Sequence, residues 1–213
     1  MRILITGANR GLGLKLTESF LDDENKLYLT ARNIESIKKF ESENVEVFKI
    51  DLNSLDSINT FFNTCNHIEE LDLIIHCASP FEGSIKESSY EDLDIWGNAY
   101  LNALKLSKLA AQKLKNTGKL IFIGSVVGNE GRISKSCVPY SVYKGSLKLL
   151  AEGFQKEFGN TAIYINLGGF RDEKTDEYLQ TEDVISAISN LAKIDYKNSV
   201  YNLMSKMDES TYL

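Results

Sequence analysis

Short apolar runs alternate with longer amphipathic stretches along the whole chain. RILIT (2–6), KLYLT (26–30), VEVFKI (45–50), LDLIIHC (71–77), KLIFIG (119–124), AIYINL (162–167) and SVYNLM (199–204) are rich in Ile, Val, Leu, Tyr and Phe. Polar or turn residues bound each run, and the pattern predicts strands. The segments 11–22, 34–41, 55–65, 92–116, 141–158 and 181–193 carry helical periodicity. Thr181, followed by two acids, is a predicted N-cap for the last helix. The only prolines, Pro80 and Pro139, fall just outside predicted elements. Strand–helix alternation implies right-handed crossovers and a mostly parallel sheet covered on both faces. The expected fold is therefore α/β, a doubly wound parallel sheet of about seven strands in three layers, α/β/α. No repeat, linker or low-complexity segment interrupts it, so a single domain over residues 1–213 is expected.

Composition adds mostly exclusions. The chain is 43% hydrophobic and 25% charged, with a formal net charge of -6. Lysines and acids are interleaved, and no basic tract points to nucleic acid or an anionic membrane. Cys65, Cys77 and Cys137 form no C-x-x-C pair, and the only histidines are His67 and His76. Neither a disulfide framework nor a zinc site is expected from this inventory. The N-terminal MRILITGA is too short for a signal-peptide core, and nothing later has the length of a membrane span. A reducing, cytoplasmic compartment follows as the expectation.

Candidate chemistry begins with LITGANRGLG, which leaves the first predicted strand and opens a helix. Gly7, Gly11 and Gly13 are spaced T-G-x-x-x-G-x-G, with Asn9, Arg10 and Leu12 between them. Glycine permits a tight turn and lets backbone N–H groups approach a pyrophosphate, while the helix N-terminus supplies partial positive charge. The spacing differs from G-x-G-x-x-G and resembles the loop of the short-chain dehydrogenase/reductase family. That resemblance implies a Rossmann-type sheet, a nicotinamide cofactor and a defined set of residues downstream.

The end of the second strand meets the adenosine ribose in such folds, where an acid binds a free 2′-hydroxyl and an arginine a 2′-phosphate. Here LTARN offers Arg32 and no acid, and Arg10 sits in the glycine loop. Two guanidiniums suit a phosphate dianion, so NADP(H) is expected over NAD(H). The resemblance places Asp51 at the adenine, with Leu52 beside it; a helix-capping role for Asp51 is the alternative. Where the family usually carries N-N-A-G, this chain has His76, Cys77, Ala78 and Ser79. Small residues still line 77–79, but whatever the asparagines did for strand positioning must come from elsewhere.

PYSVYKGSL (139–147) holds two tyrosines ahead of one lysine. On a helix, residues four apart share a face and neighbours diverge by about 100°. Tyr140 and Lys144 therefore converge and Tyr143 points elsewhere. An ammonium beside a phenol favours the phenolate, which makes Tyr140 a usable general acid or base. Ser125 ends the fifth predicted strand, where ligands bind in open α/β sheets, and resembles the family serine that stabilises charge on the substrate oxygen. In the resemblance Asn98, rather than Asn102, holds a water linked to the lysine. The set Asn98, Ser125, Tyr140 and Lys144 implies an NADP-dependent reductase acting on a ketone, an aldehyde or a keto-sugar.

After the sixth strand the family's P-G becomes Leu167-Gly168, Phe170 stands where a backbone contact to the carboxamide is expected, and Asp172 stands near the expected threonine. Family members usually insert a longer substrate cover between Phe170 and Asp183. Its reduction here implies an open site, a bulky substrate or cover from another subunit. Trp96, Phe81 and Tyr143 are candidates for the substrate side. Apolar stripes on the helices at 92–116 and 141–158 predict a homodimer or homotetramer through them. Two other readings are a sugar-nucleotide epimerase or dehydratase and a non-enzymatic NADP(H)-sensing module; the glycine spacing argues against the first and the intact tetrad against the second.

Overall fold

The structure is a computed structural model that describes residues 1–80, 84–133, 136–159, 161–171 and 178–204. The elements in chain order are β1 (Arg2–Thr6), α1 (Gly11–Phe20), β2 (Lys26–Ala31), β3 (Val45–Lys49), α2 (Leu55–Thr64), β4 (Leu71–His76), α3 (Tyr90–Lys113) and β5 (Leu114–Ile123). They continue with α4 (Val138–Phe158), β6 (Thr161–Leu167), the short strands β7 (Phe170–Arg171) and β8 (Leu179–Gln180), α5 (Thr181–Lys193) and β9 (Val200–Leu203). Seven strands form one sheet in the order β3-β2-β1-β4-β5-β6-β9, and every pairing is parallel. The expected doubly wound α/β fold is present.

Period-two alternation explains the three layers. Ile3 and Ile5 of β1, Leu73 and Ile75 of β4, and Ile163 and Ile165 of β6 join Leu16 of α1 and Val184 and Ile188 of α5 in one core. Leu4, Ile74, Phe122 and Tyr164, on the other face, pack with Phe61 of α2, Leu106 of α3 and Leu147 of α4. Both faces are buried, which is why these strands read as nearly continuous apolar runs. The order reverses between β1 and β4, so the crevice at their carboxyl ends is the topological switch point.

Local chemistry moves several predicted boundaries. Residues 34–41 form two 3-10 turns, Ile34–Ser36 and Lys38–Phe40, instead of an α-helix. The Asn33 side chain accepts from Glu35 N and tightens the first turn, and Ile37 is the segment's buried anchor. α3 begins earlier than predicted because Ser89 and Asp92 form a reciprocal capping box, and it ends at Lys113 because Leu114 enters β5 opposite Leu71. Pro139 lies inside the first turn of α4, where a missing N–H costs nothing. Thr181 is not an N-cap: Gln180, paired with Arg171, leads directly into α5, and Thr181 is its buried first residue. The cap of α2 is Ser54, whose hydroxyl accepts from Ser57 N, so Asp51 does not cap that helix.

Candidate active site

The glycine loop lies at the switch point between the ends of β1 and β4. Gly7 has φ +71°, and a Cβ there would meet Ala78 N at 2.8 Å. A Cβ on Gly13 would overlap the Gly7 carbonyl oxygen and touch the Cys77 Cβ. Gly11 has φ +52°, and a Cβ on it would meet nothing within 4 Å. Two of the glycines are thus required by close backbone approach, and the third by conformation beside open space. This is a cradle that fits a pyrophosphate at the N-terminus of α1. Cys77, Ala78 and Ser79 run alongside it, with Cys77 N donating to Thr6 O at 3.2 Å. Burial pushes the Cys77 thiol up to about 12, so it is a small packing residue rather than a nucleophile.

Beneath Ala78 lies a buried hydrogen-bonded ring. Ala78 N donates to Thr6 Oγ1 at 3.2 Å, Thr6 Oγ1 lies 2.7 Å from His76 Nδ1, and His76 Nε2 lies 2.9 Å from Tyr143 Oη. Tyr143 Oη donates to Ala78 O at 3.3 Å. When every proton is used once, Thr6 donates to Nδ1 and the imidazole carries its proton on Nε2. Burial, followed by the Lys144 charge, drives the His76 pKa down to about 3, so the ring is neutral. The ring ties β1, β4 and α4 together. It supplies the anchoring that the replaced asparagines do not. Tyr143 is therefore a core residue and does not line the substrate side, as sequence reasoning had allowed.

Tyr140 and Lys144 lie one helical turn apart at the start of α4. Lys144 is buried, its Nζ donates to Ile123 O at 2.7 Å, and it sits 5.4 Å from the Tyr140 ring centroid and 5.7 Å from that of Tyr143. Burial lowers the Lys144 pKa to about 8, with the ammonium still predominant at neutral pH. Tyr140 is half-buried and packs edge-on against half-buried Trp96 at 6.2 Å. Half-buried Ser125 follows β5, with both of its backbone groups bonded to the Tyr164 hydroxyl, N donating at 3.0 Å and O accepting at 2.9 Å.

The remaining predicted residues take these places. Asn98 is half-buried on α3; Asn102, one turn on, is buried, and neither of its amide atoms has a hydrogen-bond partner. In the glycine loop Asn9 is half-buried, Leu12 is buried and Arg10 is exposed. Arg32 is exposed directly after β2, while Asp51 and Leu52 are half-buried after β3, with Asp51 Oδ1 accepting from Asn53 N. Gly168 is buried, its N donating to Leu203 O at 2.8 Å, and Phe170 pairs with Leu179. Phe81 and Asp172 lie outside the described residues. Among the described residues no cluster of His, Cys, Asp and Glu could hold a metal, and no helix is long and apolar enough to cross a membrane.

Comparison with known proteins agrees with the fold. The short chain dehydrogenase family matches residues 1–171. Protochlorophyllide reductase from Pisum sativum is 29% identical over 188 residues, covering 81% of this chain and 46% of that protein. The chain spans about half the length of the plant reductases it matches. Gluconate 5-dehydrogenase from Gluconobacter oxydans is 26% identical over 196 residues, covering 85% of this chain and 76% of that protein. Among solved structures, 4-hydroxyisoleucine dehydrogenase complexed with NADH superposes with a TM-score of 0.83 at 20% identity, covering 97% of this chain and 98% of that one. BdcA in complex with NADPH superposes with a TM-score of 0.79 at 18% identity, covering 96% and 93%. The matched span runs from the first strand past the turn that brings Tyr140 to Lys144, and the chain belongs to the short chain dehydrogenase family of oxidoreductases.

Proposed function

We propose that this protein is an NADP(H)-dependent oxidoreductase that reduces a carbonyl (a ketone, an aldehyde or a keto-sugar) to an alcohol. The observation that carries the reading is the buried Lys144 ammonium 5.4 Å from the Tyr140 ring, beside a glycine cradle. A nicotinamide cofactor held there would supply the hydride. Gly7, Asn9, Arg10, Gly11, Leu12 and Gly13 would hold its diphosphate side, Asp51 and Leu52 its adenine, and Cys77, Ala78, Ser79, Gly168 and Phe170 would flank it. Tyr140 gives its phenolic proton to the substrate oxygen, and Lys144 stabilises the phenolate left behind. Ser125 hydrogen-bonds and orients the carbonyl as charge develops on it. Asn98 is assigned the water that links Lys144 to solvent.

Arg10 and Arg32, exposed at the carboxyl ends of β1 and β2, support NADP(H) over NAD(H). Related folds hold either form, as the NADPH and NADH complexes above illustrate. We further propose that residues 1–213 act as one domain and assemble as a homodimer or homotetramer through α3 and α4. The groove between these helices presents Tyr100, Leu104, Leu149 and Phe158 together with Lys108 and Glu157, and Leu149 is 70% exposed. The free cysteines Cys65, Cys77 and Cys137 suit a reducing, cytoplasmic setting.

The test is thermal stabilisation by NADPH and by NADH, followed by NADPH oxidation against a panel of ketones, aldehydes and keto-sugars. Stabilisation by NADPH with turnover of one carbonyl class is expected. Tight NADPH binding with no turnover on any carbonyl would move the assignment to an NADP(H)-sensing module.

A further inference from the structure

We infer that Tyr164 is a positioning residue for carbonyl reduction, holding Ser125 in place through its backbone. The inference rests on the reductase reading above. At the end of β5 the last ladder bond is Gly124 N to Ile165 O, 2.9 Å. Beyond it the chain leaves the sheet, and Ser125's N–H and C=O lose their strand partners, groups that must be satisfied elsewhere. The Tyr164 hydroxyl reaches both: it accepts from Ser125 N at 3.0 Å, and it donates at 2.9 Å to Ser125 O, which also accepts from Gly128 N at 3.0 Å. Burial, opposed by the Ser125 backbone hydrogen bond and reinforced by Tyr140, pushes its pKa up to about 12. The phenol therefore remains both donor and acceptor through the working range.

The surrounding sequence is cut to fit this phenol. Tyr164 is fully buried, and a Cβ on Gly124 would overlap its ring. A Cβ on Gly128 would meet Tyr164 Oη at 3.0 Å and Gly145 N at 2.8 Å, and one on Gly145 would meet Gly128 O at 2.9 Å. Gly124 and Gly128 thus admit the tyrosine, and Gly128 and Gly145 seat the turn Val126–Gly128 on α4 next to Lys144. Two residues along β6, on the same face of the strand, Asn166 Oδ1 accepts from Asn129 Nδ2 at 3.0 Å. Asn166 Nδ2 in turn donates to Asn202 Oδ1 at 2.9 Å. The turn that begins with Ser125 is thereby fixed at both ends from β6. A serine that must meet an oxygen developing charge gains from such fixing, because small displacements of a catalytic group cost rate steeply.

The experiment compares wild type, Tyr164→Phe, Ser125→Ala and the double variant in NADPH oxidation, together with NADPH dissociation constants and backbone amide exchange. Tyr164→Phe keeps the ring and loses both bonds to Ser125. It is expected to lower kcat about 10–100-fold while leaving NADPH affinity unchanged, and the double variant should be no slower than Ser125→Ala. Independent losses that multiply in the double variant, or an NADPH affinity that falls in step with kcat, would overturn the assignment. Amide exchange separates this inference from the reductase reading. Should wild type turn over no carbonyl, the reductase reading falls alone. Faster exchange confined to residues 125–128 in Tyr164→Phe then supports the positioning role, and unchanged exchange there refutes it.

Discussion

The ring of hydrogen bonds around His76 makes a quantitative demand on stability. His76 is 1% exposed and its pKa is driven to about 3. In the unfolded chain its pKa is about 6.5. Between those values the unfolded state binds a proton that the folded state refuses, so stability is fully present above about pH 6.5 and declines as the pH falls toward 3. From pH 7 to pH 5 the loss is about 2 kcal/mol, since each pH unit of full linkage is worth about 1.4 kcal/mol. For a chain of this size that is a fall in Tm of about 4–8 °C. The assay is denaturant or thermal unfolding of wild type and His76→Asn in matched buffers from pH 5 to 8. The variant has a constant deficit from the broken ring, but only the pH-dependent part of the difference is read. Other titrating groups, including the exposed His67 paired with Glu46 at 2.9 Å, are present in both proteins and cancel. Wild-type stability should approach that of the variant by about 2 kcal/mol on acidification. A difference that stays flat across this range would refute the buried neutral imidazole and the ring built on it.

Other outcomes follow from the same geometry. Gly13→Ala should abolish thermal stabilisation by NADPH, because its Cβ would overlap the Gly7 carbonyl, whereas Gly11→Ala should cost only about 1–2 kcal/mol for its positive φ; equal effects in the same scan would contradict the cradle. Arg32→Ala should raise the Michaelis constant for NADPH strongly and that for NADH little, and equal changes would remove the 2′-phosphate assignment. Lys144 loses its charge as pH rises through about 8, so the rate of reduction should fall above that pH. A Lys144→Arg variant, which keeps its charge, should lack that limb in its pH–rate profile, and an unmoved limb would assign it to another group. Leu149→Glu should dissociate the proposed oligomer in light scattering, and a monomeric wild type would refute the helix-pair interface.

Much of this was legible in the sequence because it depends on local spacing. The apolar runs located every strand of the main sheet, and their near-continuous hydrophobicity followed from burial on both faces. The Tyr140–Lys144 interval placed both residues on one helical face, and the structure brings the ammonium to the phenol ring. Contacts between residues distant in sequence were not legible. Nothing at position 76 indicated that its imidazole would meet Tyr143, 67 residues away. A tyrosine in the apolar run AIYINL, which otherwise carries only Asn166 as a polar residue, and a glycine just before Ser125 were the available signals for Tyr164, and they acquire meaning only when β5 and β6 are paired. The 34–41 segment misled because its periodicity is helical, while a side-chain bond from Asn33 and a single deeply buried residue, Ile37, settle its backbone as turns. Asn98 and Asn102 share a helical face, and sequence context favoured the first although the second is the more deeply buried.

At the centre of the proposed function, Tyr140 is the proton donor in carbonyl reduction and Lys144 stabilises the phenolate it leaves. The most direct measurement is kcat for NADPH-dependent reduction by Tyr140→Phe, at saturating NADPH and with the best carbonyl substrate of wild type. Removing one oxygen atom should leave NADPH affinity unchanged and lower kcat about 10²–10⁴-fold, the usual contribution of a general acid. A variant that turns over at the wild-type rate would contradict the account.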